Sequence, residues 1–134
     1  MKNITRGRKT TKRKDFKESL YDALDNEVDG MSYDEKITLV HSLLVDYEKD
    51  NEEKRDISNK GCKWTDEELK IILSDAPTKE NCIKYARLFK RGYGSIEQIY
   101  RWSVTTTKEM SEERKNDSFI IQVKRIAKEL GIRG

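Results

Sequence analysis

Apolar positions along the chain recur at helical spacing in six separate stretches, and nowhere alternate over a length that would predict a strand. Phe16, Leu20 and Leu24 fall at i, i+4, i+8 with Ala23 beside them, a narrow stripe that Gly30 ends. Ser32 and Glu35 then stand at capping-box spacing ahead of Ile37, Val40, Leu43, Leu44 and Tyr47, after which the pattern gives way to a highly charged extension. A polar stretch at 56–61 predicts a boundary. Beyond it, Thr65 and Glu68 form a second capping box, Trp64 precedes the cap in the staple position facing Leu69, and Pro77 sets the latest end of that helix. Thr78 caps the next helix, which places Cys82, Tyr85, Ala86 and Phe89 on one face and has Gly92 as its stop. Ser95 and Gln98 predict the start of a third helix, about 95–104, carrying Ile96, Ile99, Tyr100 and Ser103 with Trp102 on the flank. Phe119, Val123, Ile126, Ala127 and Leu130 predict a last helix, with Gly131 at its stop and Ile132 able to fold back.

The pattern therefore predicts an all-α protein: an N-terminal helical hairpin, a trihelical helix-turn-helix unit and an additional C-terminal helix. The expected organisation is a disordered basic arm at 1–14, an acidic helical hairpin at 15–57 and a helix-turn-helix domain with its C-terminal helix at 62–134. Trp64, Phe89, Ile96, Ile99 and Trp102 are its expected core anchors.

Charge sharpens this division. Of 134 residues 40% are charged, and the net charge of +3 is strongly segregated. Residues 1–14 carry +7, residues 15–57 carry −9, and residues 58–134 carry +5. A basic arm, an acidic segment and a mildly basic domain suggest electrostatic partners rather than a uniform solvated surface. Lys/Asn/Ile richness fits an A·T-rich genome, and a bacterial or phage source is expected.

Other chemistry finds little support. Cys62 and Cys82 are not a paired motif, and His41 is the single histidine, so no metal or cofactor is expected. No P-loop, GxSxG or HExxH sequence occurs, and no enzyme activity or small-molecule substrate is expected. No apolar run approaches the length of a membrane span and the basic N-terminus lacks an apolar region behind it, which predicts a cytoplasmic protein without a membrane partner.

Trp64-Thr65-Asp66-Glu67-Glu68 at the start of the trihelical stretch and Arg101-Trp102 at its end resemble the opening and closing of the Myb/SANT-like DNA-binding repeat. Tyr85-Ala86-Arg87-Leu88-Phe89 looks like the core of that family's second helix, while Gly92-Tyr93-Gly94-Ser95 replaces its usual turn before the third. The resemblance covers about 40 residues and implies a helix-turn-helix fold that binds duplex DNA or, as in SANT relatives, a protein.

Helical geometry gives an independent reading. Gln98, Arg101 and Thr105 fall outward on the third helix, and Gln and Arg can each make a bidentate pair with a base edge. Lys84, Arg87, Lys90 and Arg91 on the second helix, Lys124, Arg125 and Lys128 on the last, and Arg6, Arg8 and Arg13 in the arm are the expected phosphate contacts. The expected function is a small DNA-binding transcriptional regulator. The alternative is an adaptor or inhibitor that binds a host protein, or a second copy of itself, through residues 16–47.

Overall fold

The computed structural model describes residues 10–132, and among these every regular element is a helix. The elements are α1 (Arg13–Asp25), α2 (Tyr33–Asp50), a 3-10 turn at Glu52–Lys54, α3 (Asp66–Leu73), α4 (Lys79–Phe89), α5 (Tyr93–Val104), a second 3-10 turn at Thr107–Glu109, α6 (Glu112–Lys115) and α7 (Ser118–Glu129). The chain divides into two compact units, Met1–Leu39 and Val40–Gly134, with the boundary inside α2.

In the first unit, α1 has no buried residue, and Phe16, Leu20 and Tyr21 of its apolar stripe stay exposed. Helix α1 begins at Arg13, so Arg13 and Lys14 of the expected arm are helical, while Arg6 and Arg8 lie outside the described residues. Asp29 and Gly30 take positive φ in the turn that leads to α2, and the Ser32–Glu35 capping box forms as the sequence predicts.

The second unit holds the core. Leu69 and Ile72 of α3, Ile83 and Ala86 of α4, Ile96 and Ile99 of α5, and Val123 and Ile126 of α7 are buried together. Helix α5 is central, packing on α3, α4 and α7, and α7 also packs on α3. Trp64 is buried, with Phe89 edge-on to it at 5.8 Å between ring centroids, and Phe89 and Trp102 lie partly buried against the same core. Thr65 and Glu68 cap α3 reciprocally, and the Thr78 hydroxyl accepts from the Asn81 amide at the start of α4. At the end of α7, Gly131 adopts φ +82°, the Ile132 amide donates to the Ala127 carbonyl and the Gly131 amide donates to the Lys128 carbonyl. That is a Schellman stop, for which glycine is the residue without a Cβ penalty.

Two junctions differ from the sequence reading. Helix α4 stops not at Gly92 but at Phe89, with Lys90 itself in the left-handed conformation at φ +58°. Helix α5 starts at Tyr93, two residues before the expected position, so Ser95 lies inside the helix rather than capping it. The cap comes from far away: the Glu52 carboxylate accepts from the Tyr93 amide and sits within 3.3 Å of where a Gly92 Cβ would be.

Candidate nucleic-acid interface

The polar segment that follows α2 is a strap that fixes the α4–α5 turn. Asn51 is buried and its side-chain amide donates to the Tyr47 carbonyl, ending α2. Arg55 donates to the Arg91 carbonyl at 2.9 Å and to Ala86 at 3.4 Å, placing a cation at the C-terminal end of α4 where the helix dipole favours it. The same guanidinium pairs with Glu52, whose carboxylate stands at the N-terminal end of α5. One ion pair thus serves two helix ends of opposite polarity. Asn59 adds bonds to Phe89 and Lys90. The highly charged extension after Tyr47 is therefore structural.

With the turn held this way, α5 buries Tyr93, Ile96, Ile99, Tyr100 and Ser103 and leaves Gln98, Arg101 and Val104 exposed. Tyr100 is locked by a bond from its hydroxyl to the Ile72 carbonyl at 2.9 Å. Gln98 and Arg101 share one outward face, as expected. Thr105 is the C-cap of α5, and its hydroxyl is turned back to the Arg101 carbonyl at 2.7 Å. On one side of this stripe an open groove of about 600 Å³ is lined by Trp64, Ser95, Gln98, Phe119, Gln122 and Arg125, among others. On the other side a groove of about 590 Å³ includes Cys82, Tyr93, Glu97, Tyr100, Arg101 and Val104. Burial pushes the Tyr93 hydroxyl up to about 12 and raises the Cys82 thiol. Neither group ionises near neutrality.

The expected phosphate contacts fare differently from one another. Arg91 is a correction: it is 3% exposed, its guanidinium lies 3.8 Å from the Trp64 ring centroid, and it donates to the Cys62 and Lys63 carbonyls. It holds the 62–64 segment against the core and cannot reach a phosphate. The cause is the left-handed Lys90, which turns the chain off the helical path that would have put Arg91 beside Arg87 and Lys84.

The other basic side chains of α4 are exposed but paired. Lys84 binds Asp75 at 2.9 Å, Arg87 binds Glu48, and Lys90 binds Asp56 at 3.5 Å. Asp75 also accepts from the Tyr85 hydroxyl at 2.7 Å. That bond first, then the one from Lys84, brings its carboxyl down to about 2. On α7, Lys124 donates to the Thr105 carbonyl, tying α7 to the end of α5. Arg125 pairs with Asp66 at 2.9 Å and with Glu129, and the bonds from Arg125 and Gln122 hold the Asp66 carboxyl below its usual range. Lys128 remains exposed.

Arg101 stands apart. Among the described residues it is the one basic side chain on α3, α4 or α5 with no hydrogen bond or ion pair, since Lys70, Lys79, Lys84 and Arg87 all have partners. Nothing in the sequence marks it out from those four.

Comparison with known proteins supplies kinship without an activity. No solved structure matches the chain. An uncharacterised protein, PM1205, of Pasteurella multocida (strain Pm70) is 45% identical over 124 residues, which span 91% of this chain and 98% of that protein. The family described as "Uncharacterised protein PM1205 C-terminal domain" matches residues 58–134, more than half of the chain. The chain belongs to that family.

Proposed function

We propose that the second unit binds duplex DNA as a helix-turn-helix, with α5 as the reading helix. The observation that carries this is Arg101: an exposed guanidinium without a partner among the described residues, beside an exposed Gln98, on a helix held from three sides. A free, planar fork on a rigid helix suits bidentate readout of guanine, and Gln98 suits adenine. Lys84, Arg87 and Lys90, with Lys79 at the start of the same helix and Lys128 on α7, are the exposed cations that would meet phosphates. The first three would exchange surface ion pairs, each worth about 0–1 kcal/mol, for phosphate contacts. The resemblance of Trp64–Glu68 and Arg101–Trp102 to the Myb/SANT repeat supports the same reading.

The test is site selection followed by Arg101→Ala. The expected result is loss of discrimination at one position of the selected site, by about 1–3 kcal/mol, with binding to random duplexes largely kept. Unchanged affinity and unchanged preference would show that α5 is not the reader.

A second reading, a protein-interaction module that pairs with a host protein or a second copy, is favoured by a separate observation. Phe16, Leu20 and Tyr21 on α1, and Leu43, Leu44 and Tyr47 on α2, are large apolar side chains left exposed on helices of an acidic segment. Binding that persists as salt rises would favour this reading.

A further inference from the structure

The acidic segment reaches into the proposed DNA-binding unit at defined points. Val45 of α2 is buried in the core of the second unit, which fixes the C-terminal half of that helix in place. From that anchor, helical geometry sends Asp46 and Glu48 to opposite flanks of the buried face. Each meets a cation of α4: Asp46 lies 3.6 Å from Lys79, and Glu48 binds Arg87. The Lys49 ammonium lies 4.8 Å from the Tyr93 ring centroid at the start of α5. Lys84 and Lys90 are likewise held by Asp75 and Asp56. Each outward cation of α4, and Lys90 just after it, thus faces a carboxylate.

We propose that Asp46 and Glu48 occupy Lys79 and Arg87 in place of DNA phosphates, so that α2 is a built-in competitor that weakens non-specific DNA binding. This rests on the DNA-binding reading. Lys79, Asp46 and Arg87 keep about half of their side-chain surface in solvent and Glu48 keeps 20%, so the first pair is open to exchange from both sides and the second from the Arg87 side. A pair of this kind shifts an equilibrium by at most about fivefold. The competitor therefore sets a threshold. Binding confined to phosphates loses affinity to it, whereas binding that also engages Arg101 and Gln98 keeps a margin.

The test compares three full-length proteins on a random-sequence 30-mer duplex at low salt by fluorescence anisotropy: wild type, Asp46→Asn with Glu48→Gln, and Asp50→Asn with Glu53→Gln. The last pair removes the same charge from exposed acids of the same region that hold no ion pair among the described residues. All substitutions are near-isosteric, and circular dichroism of each variant is the check that its helices persist. The Asp46/Glu48 variant is expected to bind about three- to tenfold more tightly than the Asp50/Glu53 variant. In an Arg87→Gln background, Glu48→Gln is expected to change affinity no more than Asp50→Asn does. Equal affinity of the two charge-matched variants, or a Glu48→Gln effect that exceeds that of Asp50→Asn after loss of Arg87, overturns the proposal while leaving the DNA reading intact. No binding by any of the proteins overturns both.

Discussion

Arg91→Met, set against Arg87→Met, tests whether the two arginines play the different parts that the fold gives them. Met keeps much of the apolar stem in each case and removes the guanidinium. At Arg91, two carbonyls lose a charged donor, at about 1.5–3 kcal/mol each, and the Trp64 ring loses a desolvated cation–π contact worth about 2 kcal/mol. Against this stands the Arg91 Nε, which is buried without a hydrogen-bond partner among the described residues, so its removal returns about 1–3 kcal/mol, and the variant no longer desolvates a guanidinium on folding. The net loss comes to roughly 3 kcal/mol. At Arg87, whose side chain is half exposed against a Glu48 that keeps 20% of its surface, the ion pair is lost at about 1 kcal/mol. Urea denaturation followed by circular dichroism measures both, with the m-value checking that the unfolded states are comparable. A domain of this size turns 3 kcal/mol into a fall in Tm of about 12 °C or more. If Arg91→Met costs no more than Arg87→Met, then Arg91 is not the buried clamp described here and its place among the phosphate contacts is open again.

Two further outcomes follow from single contacts. Asp75, held down to about 2 by Tyr85 and Lys84, ionises more readily in the folded chain than in the unfolded one. Its contribution is therefore complete above about pH 4 and is lost as pH falls toward 2, so Asp75→Asn should flatten that part of the stability profile, and an unchanged profile would contradict it. Tyr100→Phe removes the buried bond to Ile72 and should cost about 0.5–1.5 kcal/mol by urea denaturation without altering the helical content.

What the sequence made legible is what short-range rules encode. The Thr65–Glu68 box, the Thr78 cap, the Gly131 stop and the stripes of α4 and α5 each depend on residues within four positions of one another, and each appears in the fold as read, as does the α7 stripe apart from Leu130, which stays exposed. The misreadings share a different cause. Ser95 had the local pattern of an N-cap, but a carboxylate 41 residues away, on Glu52, caps α5 at Tyr93 instead. Arg91 continued the basic spacing of Lys84 and Arg87, but the helix it would have continued ends at Phe89. Arg55 and Glu52 fall in what reads only as a highly charged extension, because their partners lie 31 to 41 residues on, where no periodicity points. The candidate site was legible in outline through the outward face of α5. What singles out Arg101 was not, because the absence of a partner is a property of the folded surface.

The DNA reading is tested most directly by the affinity of the full-length chain for random-sequence 30-mer duplex DNA, measured by fluorescence anisotropy between 50 and 200 mM salt. With Lys79, Lys84, Arg87, Lys90 and Lys128 meeting phosphates, a log–log slope of about −4.5 is expected, which weakens binding by about five hundredfold over that range. No binding at the lowest salt, or binding that does not respond to salt, would contradict the account and direct attention to the exposed apolar faces of α1 and α2.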